Sequence, residues 1–176
     1  MTQDKILACT LMYHGIKSEI ALNKNEIIGI LSKDRELRLE IYSQLLHEYI
    51  QVYNADDRMK RIVKETDSVM ESLIKNSSLQ IDETITFCSI GGLEEKRNCS
   101  IRMLNLFEKK KFDLLIQLIR GAKILFIPEL YEDLTKEQAE ELSNILTEYS
   151  LINTIIFTGK KEAAITNICT RLIEFD

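Results

Sequence analysis

Three short apolar runs constrain this chain more than any other feature. Glu26-Ile-Ile-Gly-Ile-Leu31, Lys123-Ile-Leu-Phe-Ile127 and Asn153 to Thr158 are continuous, with no polar residue breaking every second position. A strand that faces water on one side alternates apolar and polar residues. An unbroken run of this length is buried on both faces. Helical patterns lie between and after these runs, so the order calls for a mostly parallel central sheet flanked by helices, an α/β fold.

The helices read from their spacing and caps. Ser32 or Asp34 is a credible N-cap for a helix over 35–53, in which Leu37, Ile41, Leu45 and Tyr49 recur every four residues beside a second stripe of Leu39, Tyr42, Leu46 and Ile50. An apolar arc that wide predicts deep packing against the sheet. Residues 56–74 are helical by pattern, 81–90 are mixed, Gly91-Gly92 is a stop, and a helix resumes at Glu94. Thr135-Lys-Glu-Gln138 is a capping box opening a helix to about Tyr149. A helix over 161–170 and a last strand over 171–175 follow. At the front, 5–13 and 18–22 read as strands around the His14-Gly15 turn.

Composition bounds the function. The 176 residues suit one domain over 1–176, and a net charge of −5 leaves no basic footprint for nucleic acid. Lys109-Lys110-Lys111 reads as a solvated helix face. No apolar stretch approaches the roughly 20 residues that span a bilayer, and the N-terminus lacks a signal-peptide pattern. Cys9, Cys88, Cys99 and Cys169 have no metal-ligand spacing and read as reduced thiols, favouring a cytoplasmic protein. His14 and His47 add no paired spacing, so no metal site is expected.

The residues around the first two apolar runs carry a resemblance. Gly29-Ile-Leu-Ser-Lys-Asp-Arg-Glu-Leu-Arg-Leu-Glu40 follows a buried strand and opens a helix, the context of a phosphate-binding loop. Ile124 to Leu130 lies where a Walker B strand would, and Leu104-Asn-Leu-Phe107 lies upstream where a signature motif would. In order and spacing, from about Leu7 to Phe175, the chain resembles the ATP-binding cassette (ABC) ATPases, of P-loop type, with a trimmed helical arm over about 54–112. Against that pattern Ser32, Arg35 and Leu37 replace the three loop glycines. Arg38 replaces the lysine that holds the β/γ-phosphates, and Leu39 the magnesium-binding serine.

Elsewhere the departures continue. Pro128, the one proline of the chain, replaces the Walker B aspartate, while Glu129 matches the catalytic carboxylate. Asn105, Leu106 and Phe107 replace the Ser-Gly-Gly of the signature, Gly159 the switch histidine and Thr135 the aspartate after Walker B. Ser89-Ile-Gly-Gly92 lies too far upstream to be the signature. Tyr13 resembles the aromatic that stacks on adenine.

The resemblance therefore implies a degenerate ABC-type nucleotide-binding domain. Glu129 is its vestigial catalytic candidate, and Tyr13, Ser32, Lys33, Arg35 and Arg38 mark the degenerate nucleotide positions. No ATP or magnesium cofactor is expected. On this reading the protein is an accessory or regulatory subunit whose partner is an ABC ATPase subunit or a permease, with a homodimer also open. It would be peripheral to the membrane through that partner, with no insertion of its own. Two alternatives stand beside it. One is a weakly active ATP-binding ABC ATPase using Lys33, Arg35 or Arg38. The other is a stand-alone α/β interaction module.

Overall fold

A computed structural model describes residues 5–13, 16–53, 63–77, 79–160 and 167–175. Strands β1 (Lys5–Tyr13) and β2 (Ile16–Asn23) form an antiparallel pair. Then come β3 (Ile27–Leu31) and α1 (Arg35–Tyr53), followed by α2 (Val69–Asn76), α3 (Ile81–Ile90) and two short 3-10 turns, Glu94–Lys96 and Ile101–Met103. The chain continues with α4 (Leu106–Ile119), β4 (Ile124–Ile127), α5 (Lys136–Ser150), β5 (Thr154–Gly159) and β6 (Arg171–Glu174). Strands β3 to β6 make one parallel sheet in the order β4-β5-β3-β6. The three apolar runs are its three buried members, β5 and β3 in the middle and β4 at one edge.

Side chains of a strand alternate between the faces of its sheet, and both faces here are covered. Ile27, Leu31, Leu125, Ile127, Ile155 and Phe157 point into a core shared with α2, α4 and α5. Ile28, Ile30, Ile124, Phe126 and Ile156 point into the opposite core, with Leu37, Ile41, Leu45 and Tyr49 of α1 and Leu7, Cys9, Leu11, Ile20 and Leu22 of the antiparallel pair. Gly29 lies within β3. A Cβ there would come within 2.9 Å of Cys169 Sγ and 3.1 Å of Phe157 Cζ, so the strand packs only because this residue has no side chain.

Two edges are closed by glutamines. The Gln117 amide donates to the Phe126 carbonyl (2.9 Å) and accepts from its N–H (2.8 Å), standing in for a neighbour of edge strand β4. Gln44 of α1 does the same for Met12 of β1, at 3.1 and 3.0 Å.

Several expectations need correction. The described part of 56–74 is not one helix. Residues 65–66 form a turn, and α2 starts only after Ser68, whose hydroxyl accepts from Glu71 N while the Glu71 carboxylate accepts from Ser68 N. The mixed segment 81–90 is a helix, opened by the Gln80–Glu83 capping pair. The helix expected at Glu94 is a single 3-10 turn. The second stripe of α1 is only half-buried, and Leu39 is 40% exposed. The expected helix over 161–170 lies largely outside the described residues, and its described end, 167–170, is a turn at 167–168 and not helical beyond it. Cys9 and Cys88 are buried and Cys99 and Cys169 half-buried, all as reduced thiols.

Candidate functional site: the crevice at the carboxyl ends of the strands

In open α/β sheets, ligands sit beyond the carboxyl ends of the strands. Here that edge is formed by Ser32 after β3, Pro128 to Leu134 after β4, and Gly159 and Lys160 at the end of β5. A cleft of about 270 Å³ opens there, lined by Glu129, Tyr131, Glu132, Asp133, Leu134, Gly159 and Lys160.

At its back, Arg38 is completely buried. Its Nε donates to Glu129 Oε1 at 2.8 Å and its Nη2 to Oε2 at 2.8 Å, a bidentate pair across 91 residues of sequence. Nη1 donates to the Ser32 carbonyl at 2.6 Å, so the guanidinium is also fixed from the other side. Such a fork is the geometry in which arginine grips a carboxylate or a phosphate most firmly. Burial pushes the Glu129 carboxyl up. The hydrogen bonds and charge of Arg38, helped by Glu132 and Arg35, more than offset this and hold it below the ordinary carboxylate range. The Glu129 hydrogen bond in turn raises the guanidinium further, against the opposing effect of burial.

Backbone holds Glu129 in place. Its φ is 50°, in the left-handed region that costs a residue with a Cβ roughly 1–2 kcal/mol. The Glu129 N–H donates to Thr158 Oγ1 at 3.0 Å, Leu130 N–H donates to the Thr158 carbonyl at 3.1 Å, and Lys110 Nζ donates to the Glu129 carbonyl. Burial pushes the Lys110 ammonium down, and the carboxylates of Glu132, Glu129, Asp133 and Asp113 counter part of that. Lys111 is also buried, with Nζ 4.3 Å from the Phe107 ring centroid, 3.4 Å from the Gly92 carbonyl and paired with Glu141. The basic run is therefore no solvated face: two of its three lysines hold tertiary structure together.

The turn between β3 and α1 uses its own acceptors. Ser32 N–H donates to the Gly159 carbonyl (3.3 Å) and Asp34 N–H to Ser32 Oγ (3.1 Å). Asp34 Oδ1 accepts from Glu36 N (2.9 Å) and Leu37 N (3.3 Å), so a carboxylate of the chain caps the N-terminus of α1. The same holds at α4. Asn105 Oδ1 accepts from Glu108 N at 2.9 Å, and Glu108 Oε2 accepts from Asn105 N at 2.9 Å. Phe107 is buried there, while Leu106 and Met103 are exposed.

Of the degenerate nucleotide positions, Ser32 and Arg38 are brought together with the catalytic candidate Glu129. Lys33 and Arg35 are exposed beside them. Bulk at Arg35, Leu37 and Leu39 is not what fills the crevice. The helix starts early at Arg35, but Leu37 packs into the core and Leu39 faces outward; the ion pair fills the back of the crevice. Tyr13 ends β1 opposite Ile16, and its side chain lies outside the described residues. Asp34, one of the two N-cap candidates, is the carboxylate that caps α1; sequence reasoning missed Lys110 and Thr158. The S/D/N-x-x-E spacing of the caps was the readable signal for two of the helix starts.

No family model and no curated protein matches the sequence. Solved structures do, and with them the class is defined: the chain has the fold of the ABC-type P-loop ATPase domains. One such structure is MJ1267, an ATP-binding cassette of an ABC transporter, in its ADP conformation. It superposes with a TM-score of 0.70 at 12% identity, over 97% of this chain and 87% of that one. A second is CbiO1 from Clostridium perfringens, part of the ABC transporter complex cbiONQ. It has a TM-score of 0.75 at 16% identity, over 98% of this chain and 85% of that one. No helix among the described residues is long and apolar enough to cross a membrane.

Proposed function

We propose that this chain is an ABC-type domain whose nucleotide site is closed from within. It serves as a non-hydrolytic accessory or regulatory subunit of an ABC transporter complex. The observation that carries this reading is the bidentate Arg38–Glu129 pair. The residue at the phosphate-lysine position and the residue at the catalytic-carboxylate position satisfy each other, which leaves neither for a ligand.

The rest of the crevice supports the same reading. A nucleotide with magnesium does not fit these residues. The N–H groups of Ser32, Asp34, Glu36, Leu37 and Arg38 all have acceptors inside the chain. The two protein anchors of magnesium in P-loop ATPases are a loop hydroxyl and a Walker B aspartate, and here those positions are an exposed Leu39 and Pro128. The α4 N-terminus, where a signature would present N–H groups to a partner, is filled by Asn105.

What remains is a well-packed domain with the overall frame of the cassettes. Its proposed role is to dock an ABC ATPase subunit or a permease and to regulate or complete the assembly, without contributing turnover. The test is affinity capture of the tagged chain from native membranes, with ATPase assay of the isolated protein alongside. Recovery of an ABC ATPase or permease, with no magnesium-dependent turnover by the chain itself, is expected. Steady turnover that Glu129→Gln abolishes would overturn the non-hydrolytic reading. Recovery of soluble monomer alone would overturn the partner.

A further inference from the structure

We propose that Arg38 forms an oxyanion pocket which the chain occupies with its own Glu129 carboxylate, an autoinhibitory contact in the crevice. This deepens the reading of a nucleotide site closed from within and rests on it.

The two halves of the contact are held independently. On one side the guanidinium is oriented by the Ser32 carbonyl on Nη1, leaving Nε and Nη2 aimed together at one acceptor. On the other side Glu129 is positioned by Thr158 and Lys110 through its own backbone, with no help from Arg38. Removing the carboxylate therefore leaves the fork pointing where it already points.

The carboxylate is also the plug. Arg38 has no exposed side-chain surface, the Glu129 side chain is 11% exposed, and Glu129 lines the cleft. Shortening Glu129 connects the cleft to a buried guanidinium that has lost its hydrogen-bonded carboxylate, with Glu132 and Asp34 as its remaining negative neighbours. A group in that state binds an oxyanion from solution, because a buried charge without a partner is strongly unfavourable. Two parallel N–H donors select a carboxylate or a phosphoryl group over a spherical anion.

The experiment uses the full chain as wild type, Glu129→Ala, Glu129→Gly and the double variant Arg38→Met/Glu129→Ala. Thermal unfolding is followed against sodium formate and inorganic phosphate, with chloride holding ionic strength fixed. Formate at ten times its dissociation constant should raise the Tm of Glu129→Ala by about 3–6 °C. The wild type and the double variant should not move. A response to phosphate as well extends the pocket to phosphoryl groups and supports the proposal equally. Should Glu129→Ala fold only when formate is present, that rescue is itself support. A Glu129→Ala response no larger than that of the double variant overturns the proposal, as does an equal response from the wild type. If Glu129→Ala never folds, absence of any anion response in Glu129→Gly, which also empties the fork and suits the left-handed backbone there, overturns it. Magnesium-ATP added to the wild type in the same assay reports separately: a rise there sinks the closed-site reading, whatever the variants do with formate.

Discussion

Two buried cations sit on helices that flank the sheet, and they are held differently. Arg38 on α1 is fully buried and faces a carboxylate that is itself 11% exposed. Lys111 on α4 is 5% exposed, yet its carboxylate, Glu141, is 52% exposed, and the rest of its shell is a ring face and a carbonyl. The first arrangement takes both charges out of water and binds them with a planar fork. The second buries a cation's stem and leaves the anion hydrated. A pair sealed on both sides closes a site, whereas a pair open on one side only fastens a corner.

That contrast can be broken most easily by removing one partner at a time. Arg38→Met leaves Glu129 inside without a counter-charge and should cost about 3–5 kcal/mol by denaturant unfolding. Arg38→Met/Glu129→Leu should recover most of that loss, because an apolar pair leaves no buried charge behind. A cost for Arg38→Met near zero would show that the pair is not sealed.

The corner around Lys111 sharpens the comparison from the other side. A Cβ on Gly91 would lie 2.4 Å from Leu115 Cδ1 and 2.7 Å from its Cγ. Gly91→Ala should therefore cost about 1–3 kcal/mol through overpacking, and Leu115→Ala in the same chain should relieve part of the clash. Lys111→Met should cost no more than about 1 kcal/mol, since Glu141 simply returns to water. If it costs as much as Arg38→Met, the distinction between the two cations fails.

The smallest effect is in the acid limb. The Glu129 carboxyl is held below its ordinary range in the folded chain. Its stabilisation is therefore complete above the ordinary carboxylate range and is lost as the pH falls through the folded value, which lies below that range. The wild type should lose stability more steeply there than Glu129→Gln, as read by unfolding at a series of pH values. Equal slopes would remove Glu129 from the acid response.

The sheet was more legible than the site. Ile27 to Leu31, Ile124 to Ile127 and Thr154 to Gly159 are read correctly because burial on both faces leaves an apolar run that few other structures produce. Helix α3 was hidden by Thr84-Ile85-Thr86-Phe87, residues that favour strands. Packing of Thr84 and Cys88 into the interior settles it as a helix. The start of α2 was readable, since Ser68-Val-Met-Glu71 is a capping box. The pairing of Arg38 with Glu129 was not, because nothing local links positions 91 residues apart. Lys110 and Lys111 show the same limit: charge in a run of lysines says nothing of which members point inward.

The most direct test of the account is a calorimetric titration of the wild-type chain with ATP, with and without magnesium. The closed crevice predicts no saturable heat in either condition. Saturable binding that magnesium strengthens would mean that the Arg38–Glu129 pair opens for nucleotide, and the central claim would be wrong.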